Sequence, residues 1–430
     1  MRILRYGMRG ADVMKIQSVL KKTGFYTGAV DGIYGPVMRS AVYSFQKAFG
    51  LKPDGVIGAR TYNALQRYIT GADRYTVRPG DTFGGIAQRY YTKPELIAAA
   101  NPGTDPRDLR PGQVITVPYG YDVVDTDIDY TYDALQSDIL GLKARYPFIE
   151  TGSAGKSALG RDLTWLKLGS GSNQVFYSAA IHALEWITAP VMMKFIEDFS
   201  RAYAAGTDLA GYDPKKIWES SAINIIPMAN PDGVDLVING LKPANPNYYK
   251  LIRWNNGSMD FSSDWEANNN GVDLNHNFDA AWEESKEAAE AMGITGPGPT
   301  RYPGPYPESE PESRALADFT RGNDFRLVLA YHTQGEVIYW TFMGLEPPES
   351  KPIGERLAEA SGYELAEPSG ITAYGGYKDW FIKEFRRPGY TVEAGLGRNP
   401  LPVSQFGRIY ADNLPLLLLA SVITLENTGG

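Results

Sequence analysis

Apolar positions in the first seventy residues recur at helical spacing. Between Asp12 and Leu20 they fall at Val13, Ile16, Val19 and Leu20, one face of a helix whose expected N-cap is Asp12. Gly24-Phe25-Tyr26 closes it. Ala41, Val42, Phe45 and Phe49 mark a second helix, and a third is predicted at Thr61 to Leu65. The two connections repeat one another, Asp31-Gly32-Ile33-Tyr34-Gly35 and Asp54-Gly55-Val56-Ile57-Gly58, and both are rich in residues that accept positive φ. Residues 1–70 therefore read as a small three-helix module.

The pattern changes at residue 73. Tyr75 to Thr82 is β-rich and contains a Pro-Gly turn, with a helix cap at its end. Phe83, Ile86 and Ala87, then Pro94 to Pro102, carry two short helix faces, and Leu109 to Pro118 returns as a strand. Residues 73–118 thus predict a βααβ unit. Gly120-Tyr121 and the acidic run from Asp122 to Asp129 read as a short linker.

From 124 to 430, short apolar runs at 175–181, 223–227 and 325–331 alternate with helical stretches at 132–146, 189–204 and 310–321. Continuous apolar runs of this length are strands buried on both faces. Their alternation with helices predicts an α/β domain with a mostly parallel or mixed sheet, and ligands at the carboxyl ends of its strands.

Composition narrows the picture. With 43% apolar and 21% charged residues in 430, the chain is not wholly disordered. It has no Cys, which removes disulfides, thiolate metal sites and Cys nucleophiles together. The longest apolar run, Leu414 to Val422, is shorter than the about 20 residues of a membrane span. No signal peptide is visible in Met1 to Gly7, which leaves three readings open: the chain stays inside, it is released by lysis or another non-standard route, or a leader has been removed. Residues 1–120 hold 17 Lys+Arg against 8 Asp+Glu, leaving 25 against 42 for the rest. A basic front on an acidic body fits a polyanion as partner of the front, and the ordinary charge variation of small modules accounts for it equally well. Nucleic acid is set aside, since charge alone favours it.

All three histidines, His182, His276 and His332, lie in the last segment. His182 and Glu185 form a His-x-x-Glu just after an apolar run, and His332 ends another. Zinc accepts such a mixed N/O set, and a catalytic site needs three protein ligands with a position left for water. On these residues alone, a metal centre and hydrogen-bonded structural histidines are equally good readings.

Three resemblances resolve this. The paired Asp-Gly-x-x-Gly turns around a central helix resemble the three-helix peptidoglycan-binding module, and residues 73–118 resemble a LysM module, which binds N-acetylglucosamine polymers. His182-Ala183-Leu184-Glu185, Asn230-Pro231-Asp232-Gly233, Gly271-Val272-Asp273-Leu274-Asn275-His276-Asn277-Phe278, Ser309-Glu310-Pro311-Glu312, Tyr331-His332-Thr333 and Thr391-Val392-Glu393 occur in that order. They resemble the carboxypeptidase A-like zinc metallopeptidases across residues 124–430. The resemblance implies a mixed eight-stranded sheet, one Zn²⁺ held by His182, Glu185 and His332, and Glu393 as general base. Zinc with an open position brings the pKa of water to about 7, and a carboxylate can carry its proton to a leaving amine.

Two departures bear on substrate. The family's Asn-Arg pair, which grips a terminal carboxylate, is here Asn275-His276, so a permanently charged fork gives way to an imidazole able to donate one hydrogen bond. No Arg stands at 264–268 to polarise the scissile carbonyl, and Arg253 is the nearest basic residue upstream. By the same resemblance Lys378 lies at the floor of the pocket for the residue after the cut, where a cation suits the second carboxylate of meso-diaminopimelate. Tyr374 would cap the substrate.

The combination implies a peptidoglycan hydrolase at the cell wall or spore, cutting the γ-D-glutamyl-meso-diaminopimelate bond. Residues 1–118 would hold the glycan strand and the last segment the stem peptide. The alternatives are a zinc carboxypeptidase acting on wall or other peptides, and a wall-binding protein whose peptidase domain is dead.

Overall fold

The computed structural model describes residues 2–426, which fall into two compact units, 2–149 with 196–209 and 150–195 with 210–426. In the first unit the helices Ala11–Lys22, Pro36–Ala48 and Ala59–Ile69 enclose a core around Val13, Leu20, Tyr34, Val42, Phe45 and Leu65. The third helix is longer at both ends than its predicted span. Asp12 does not cap the first helix. Gly10 holds the cap position, and Asp12 lies in the first turn, paired with Arg2.

The two repeated turns share one device. A buried amide from a neighbouring helix stands in for missing backbone partners. Gln17 accepts from the Gly32 N–H (2.8 Å) and donates to Asp31 and the Ile33 carbonyl. Gln46 accepts from the Gly55 N–H (2.8 Å) and donates to Asp54 and the Val56 carbonyl. Both Gly32 and Gly55 have a φ of 68°, which explains the glycine.

Strands β1 (Ala72–Thr76) and β2 (Val114–Pro118) pair antiparallel, with the helices Phe83–Arg89 and Pro94–Ala100 between them. β1 starts before the β-rich run expected, because the segment from Val77 onward turns away through Gly80; Thr82 caps the next helix by accepting from Gly85.

The acidic run at 122–129 is not a linker. Val123, Val124, Asp125 and Ile128 are buried. Lys15 reaches from the first helix to Asp125 and Asp138, each at 2.5 Å; Lys22 and Ser18 also bond Asp125, and Tyr130 donates to Asp138 at 2.8 Å. Burial opposes the charge on Lys15, but the two carboxylates outweigh it and raise its pKa. Asp138 sits on the helix Tyr132–Arg145, so this part of the third segment packs with the first.

In the second unit eight strands form one mixed sheet, ordered β3-β4-β6-β5-β7-β10-β8-β9. They are β3 (Glu150–Lys156), β4 (Asp162–Leu168), β5 (Asn173–Ala179), β6 (Ser221–Ile226), β7 (Phe325–His332), β8 (Val337–Tyr339), β9 (Glu364–Ala366) and β10 (Gly389–Glu393). The central strands β6, β5, β7 and β10 run parallel. They are almost wholly buried, as apolar runs without alternation require. The run Val403–Leu425 has the length and apolarity of a membrane span, although half of its apolar window is buried within the unit.

Lys15→Met should destabilise the first unit by about 3–5 kcal/mol, because Asp125 and Asp138 are left buried without their cation. Urea unfolding followed by tyrosine fluorescence measures this, and adding Asp125→Asn and Asp138→Asn should restore much of the loss.

Candidate metal centre and active site

The site lies where three neighbouring parallel strands of the second unit end. β5 stops at Ala179; Ala180 takes a left-handed φ of 49°, and the chain then runs through His182 into a tight turn, Ala183–Glu185. Thr188 fixes that turn, accepting from the Ala180 N–H (2.9 Å) and donating to the Glu185 carbonyl (2.8 Å). His332 is the last residue of β7 and Glu393 the last of β10, and the two are register partners.

His182 Nδ1 lies 2.9 Å from Glu185 Oε1, His332 Nδ1 lies 2.9 Å from Glu185 Oε2, and the two Nδ1 atoms are 3.2 Å apart. Ligands held by zinc at about 2.0–2.1 Å and the tetrahedral angle stand about 3.4 Å from one another, so the three residues fit the ion. Burial alone would raise the Glu185 carboxyl, but His182 and His332 hold it down to about 2.

Asp273 orients His182. Its Oδ1 lies 3.2 Å from His182 Nε2, while Oδ2 accepts from the Arg301 N–H at 2.8 Å. A carboxylate on Nε2 keeps the proton there and leaves the Nδ1 lone pair for a metal. Asp273 falls within the Gly271–Phe278 motif, where the sequence alone assigns it no role. Its signal was an acid three residues before His276, on a loop that Asn268 ties to Glu310 and Glu312.

Glu393 is partly buried beside the same group. Burial, aided by the neighbouring Glu185 charge, pushes its carboxyl up to about 7 against the opposing effect of His332. Glu266 is a further acid missed from sequence. Its carbonyl accepts from the Ala183 N–H at 3.0 Å and its carboxylate from Thr300, whose hydroxyl also faces Asp273. Burial raises Glu266 as well.

The expected substrate-binding residues have protein partners of their own. His276 Nδ1 lies 3.0 Å from Ser285 Oγ and 3.2 Å from the Tyr374 carbonyl. A carbonyl only accepts, so Nδ1 carries the proton and Nε2 of the neutral ring is an acceptor. Burial lowers the pKa of His276 and keeps it neutral. It is therefore not the donor to a carboxylate that its place in the sequence implied. Lys378 is not an open cation either. It is 3% exposed, its ammonium donates to the Thr341 carbonyl at 2.6 Å, and it is paired with Asp379. Asn275 Oδ1 accepts from the Tyr377 N–H at 3.0 Å, at the start of the helix Tyr377–Phe385. Tyr374 is half-buried, and Arg253 stands exposed in the last turn of the helix Tyr248–Trp254.

Comparison with known proteins agrees with this geometry. The LysM domain matches residues 75–118 and the peptidoglycan binding domain residues 9–65. The chain is 45% identical over 291 residues to gamma-D-glutamyl-L-diamino acid endopeptidase 1 of Lysinibacillus sphaericus, covering 67% of this chain and 72% of the relative. It is 42% identical over 91 residues to the spore cortex-lytic enzyme of Bacillus cereus, 20% of this chain and 35% of that one. In fold it is similar to bovine thrombin-activatable fibrinolysis inhibitor, solved with tick carboxypeptidase inhibitor, at a TM-score of 0.54 and 22% identity over 69% of this chain and 97% of that one. The zinc carboxypeptidase family matches residues 135–415, well over half of the chain. With the ligand cluster at the ends of β5 and β7, this makes the protein a metallopeptidase of the zinc carboxypeptidase family that also carries peptidoglycan-binding and LysM domains.

Proposed function

We propose that the protein hydrolyses the γ-D-glutamyl–diaminopimelate bond of bacterial wall stem peptides, using one zinc ion held by His182, Glu185 and His332. The observation that carries this is the convergence of those three ligand atoms, all within 4.8 Å of one another, beside the strand-end acid Glu393. The 45% identical relative, named for the γ-D-glutamyl-L-diamino acid linkage, supports the choice of bond. Zinc, when bound, supplies Lewis-acid chemistry, acidifying water and polarising a carbonyl.

The chain's own residues do the rest. Glu393 takes a proton from the attacking water and returns it to the departing amine. Asp273 keeps the His182 proton on Nε2, and Asn399, whose amide lies 3.5 Å from Glu185 Oε1 and donates to the Thr333 carbonyl, steadies the carboxylate ligand. The neutral acceptor His276 offers nothing to a free C-terminal carboxylate, which speaks against a carboxypeptidase. Residues 1–118 would hold the glycan strand and keep the enzyme at the cell wall or spore, raising its local concentration there.

Digestion of a defined muramyl tetrapeptide by the zinc-loaded chain should release a fragment headed by diaminopimelate, and a chelator should stop it. Mass spectrometry reads the outcome, and release of only the terminal D-Ala would overturn the endopeptidase reading. Glu393→Gln should retain zinc while kcat falls by about 10²–10⁴-fold. Asp273→Asn should weaken zinc binding by about 10–100-fold, measured by competition with a chromogenic chelator. The acid limb of the rate profile should follow Glu393. Its carboxyl is raised to about 7 by burial and must be ionised to act, so kcat/KM falls as pH drops. In Lys378→Ala the carboxylate of Asp379 stays buried without its cation, so thermal unfolding should report a loss of about 3–5 kcal/mol.

A further inference from the structure

The metal centre is ringed by acids. Glu266 and Glu393 both border it, Asp273 lies behind His182, and the cations assigned to substrate from sequence are accounted for: Lys378 is buried with Asp379, and His276 is a neutral acceptor. A γ-linked glutamyl group brings its own free α-carboxylate to such a site, a few bonds from the scissile carbonyl on the acyl side. Bound zinc would be offset by Glu185, Glu393 and Asp273, so this carboxylate would still call for a further cation near it.

Arg398 occupies a suitable place. The loop after Glu393 is pinned on both sides of it. Ala394 donates to the His332 carbonyl (2.8 Å), Leu396 is bonded through its carbonyl to Gln405 (2.6 Å), and Asn399 is locked to Thr333 while its amide faces Glu185. Between these anchors the Arg398 side chain is 81% exposed, and its one polar contact among the described residues is a 3.2 Å bond to Asp264, itself 69% exposed. Asp264 lies two residues from Glu266, whose carbonyl holds the Ala183 N–H next to the ligand His182. The pair therefore joins two loops that each touch the ligand turn at 182–185. An exposed pair of this kind contributes little stability and exchanges readily.

We propose that Arg398 is a specificity residue that leaves Asp264 for the free α-carboxylate of the γ-linked glutamyl group as substrate enters. Its planar fork suits a carboxylate better than an ammonium would. This rests on the γ-glutamyl reading above.

The test uses two defined peptides, L-Ala-γ-D-Glu-diaminopimelate and its counterpart with the glutamyl α-carboxylate converted to a carboxamide, with the full zinc-loaded chain. The wild type should prefer the carboxylate peptide by about ten- to a hundredfold in kcat/KM. Arg398→Ala should bring the ratio to about one by loss on the carboxylate peptide, with zinc content and melting temperature showing that the variant is folded. Arg398→Lys should keep part of the preference. A wild type indifferent to the two peptides, or a preference that survives in Arg398→Ala, overturns the assignment while the γ-glutamyl reading stands. Failure of the wild type to cut either peptide overturns that reading and Arg398 with it.

Discussion

The second unit is organised around an electrostatic constraint. Two imidazoles and a carboxylate are packed into the interior at the ends of adjacent strands, with a second carboxylate beside them. Removing so many ionisable groups from water is costly unless their charges answer one another. Parallel β5, β7 and β10 supply the geometry, because their ends lie side by side and His332 and Glu393 fall in register. Thr188 and Asn399 then hold Glu185, and Asp273 orients His182.

How far this was legible in the sequence depended on whether a signal was local. Strands β5, β6 and β7 announced themselves as apolar runs, and the three residues of the candidate metal centre were proposed from strand-end position and family motifs. Asp273 was in view without a role, since nothing local says that its carboxylate meets His182 ninety-one residues away. The partners of Lys378 and His276 were out of view for a related reason. A motif position fixes where a backbone lies, but the state of a side chain depends on what faces it, here Asp379 and the Thr341 carbonyl for one and the Tyr374 carbonyl for the other.

The front of the chain shows the same limit from the opposite side. Its helices were readable from periodicity, and the repeated Asp-Gly turns from their glycines. The buried amides of Gln17 and Gln46 that hold those turns were not, because glutamine on a helix usually faces water. Nor was the fate of the acidic run at 122–129. A cluster of aspartates reads as solvated until a lysine from another element is seen to meet it.

That lysine has a consequence for how such chains are assembled. The modules look like interchangeable cassettes when their boundaries are drawn from sequence, with a seam near residue 119. Lys15 and Lys22 cross the seam and neutralise aspartates on its far side. Swapping the front for another binding module would thus orphan two buried acids, and any transplant has to carry the Tyr132–Arg145 helix with it.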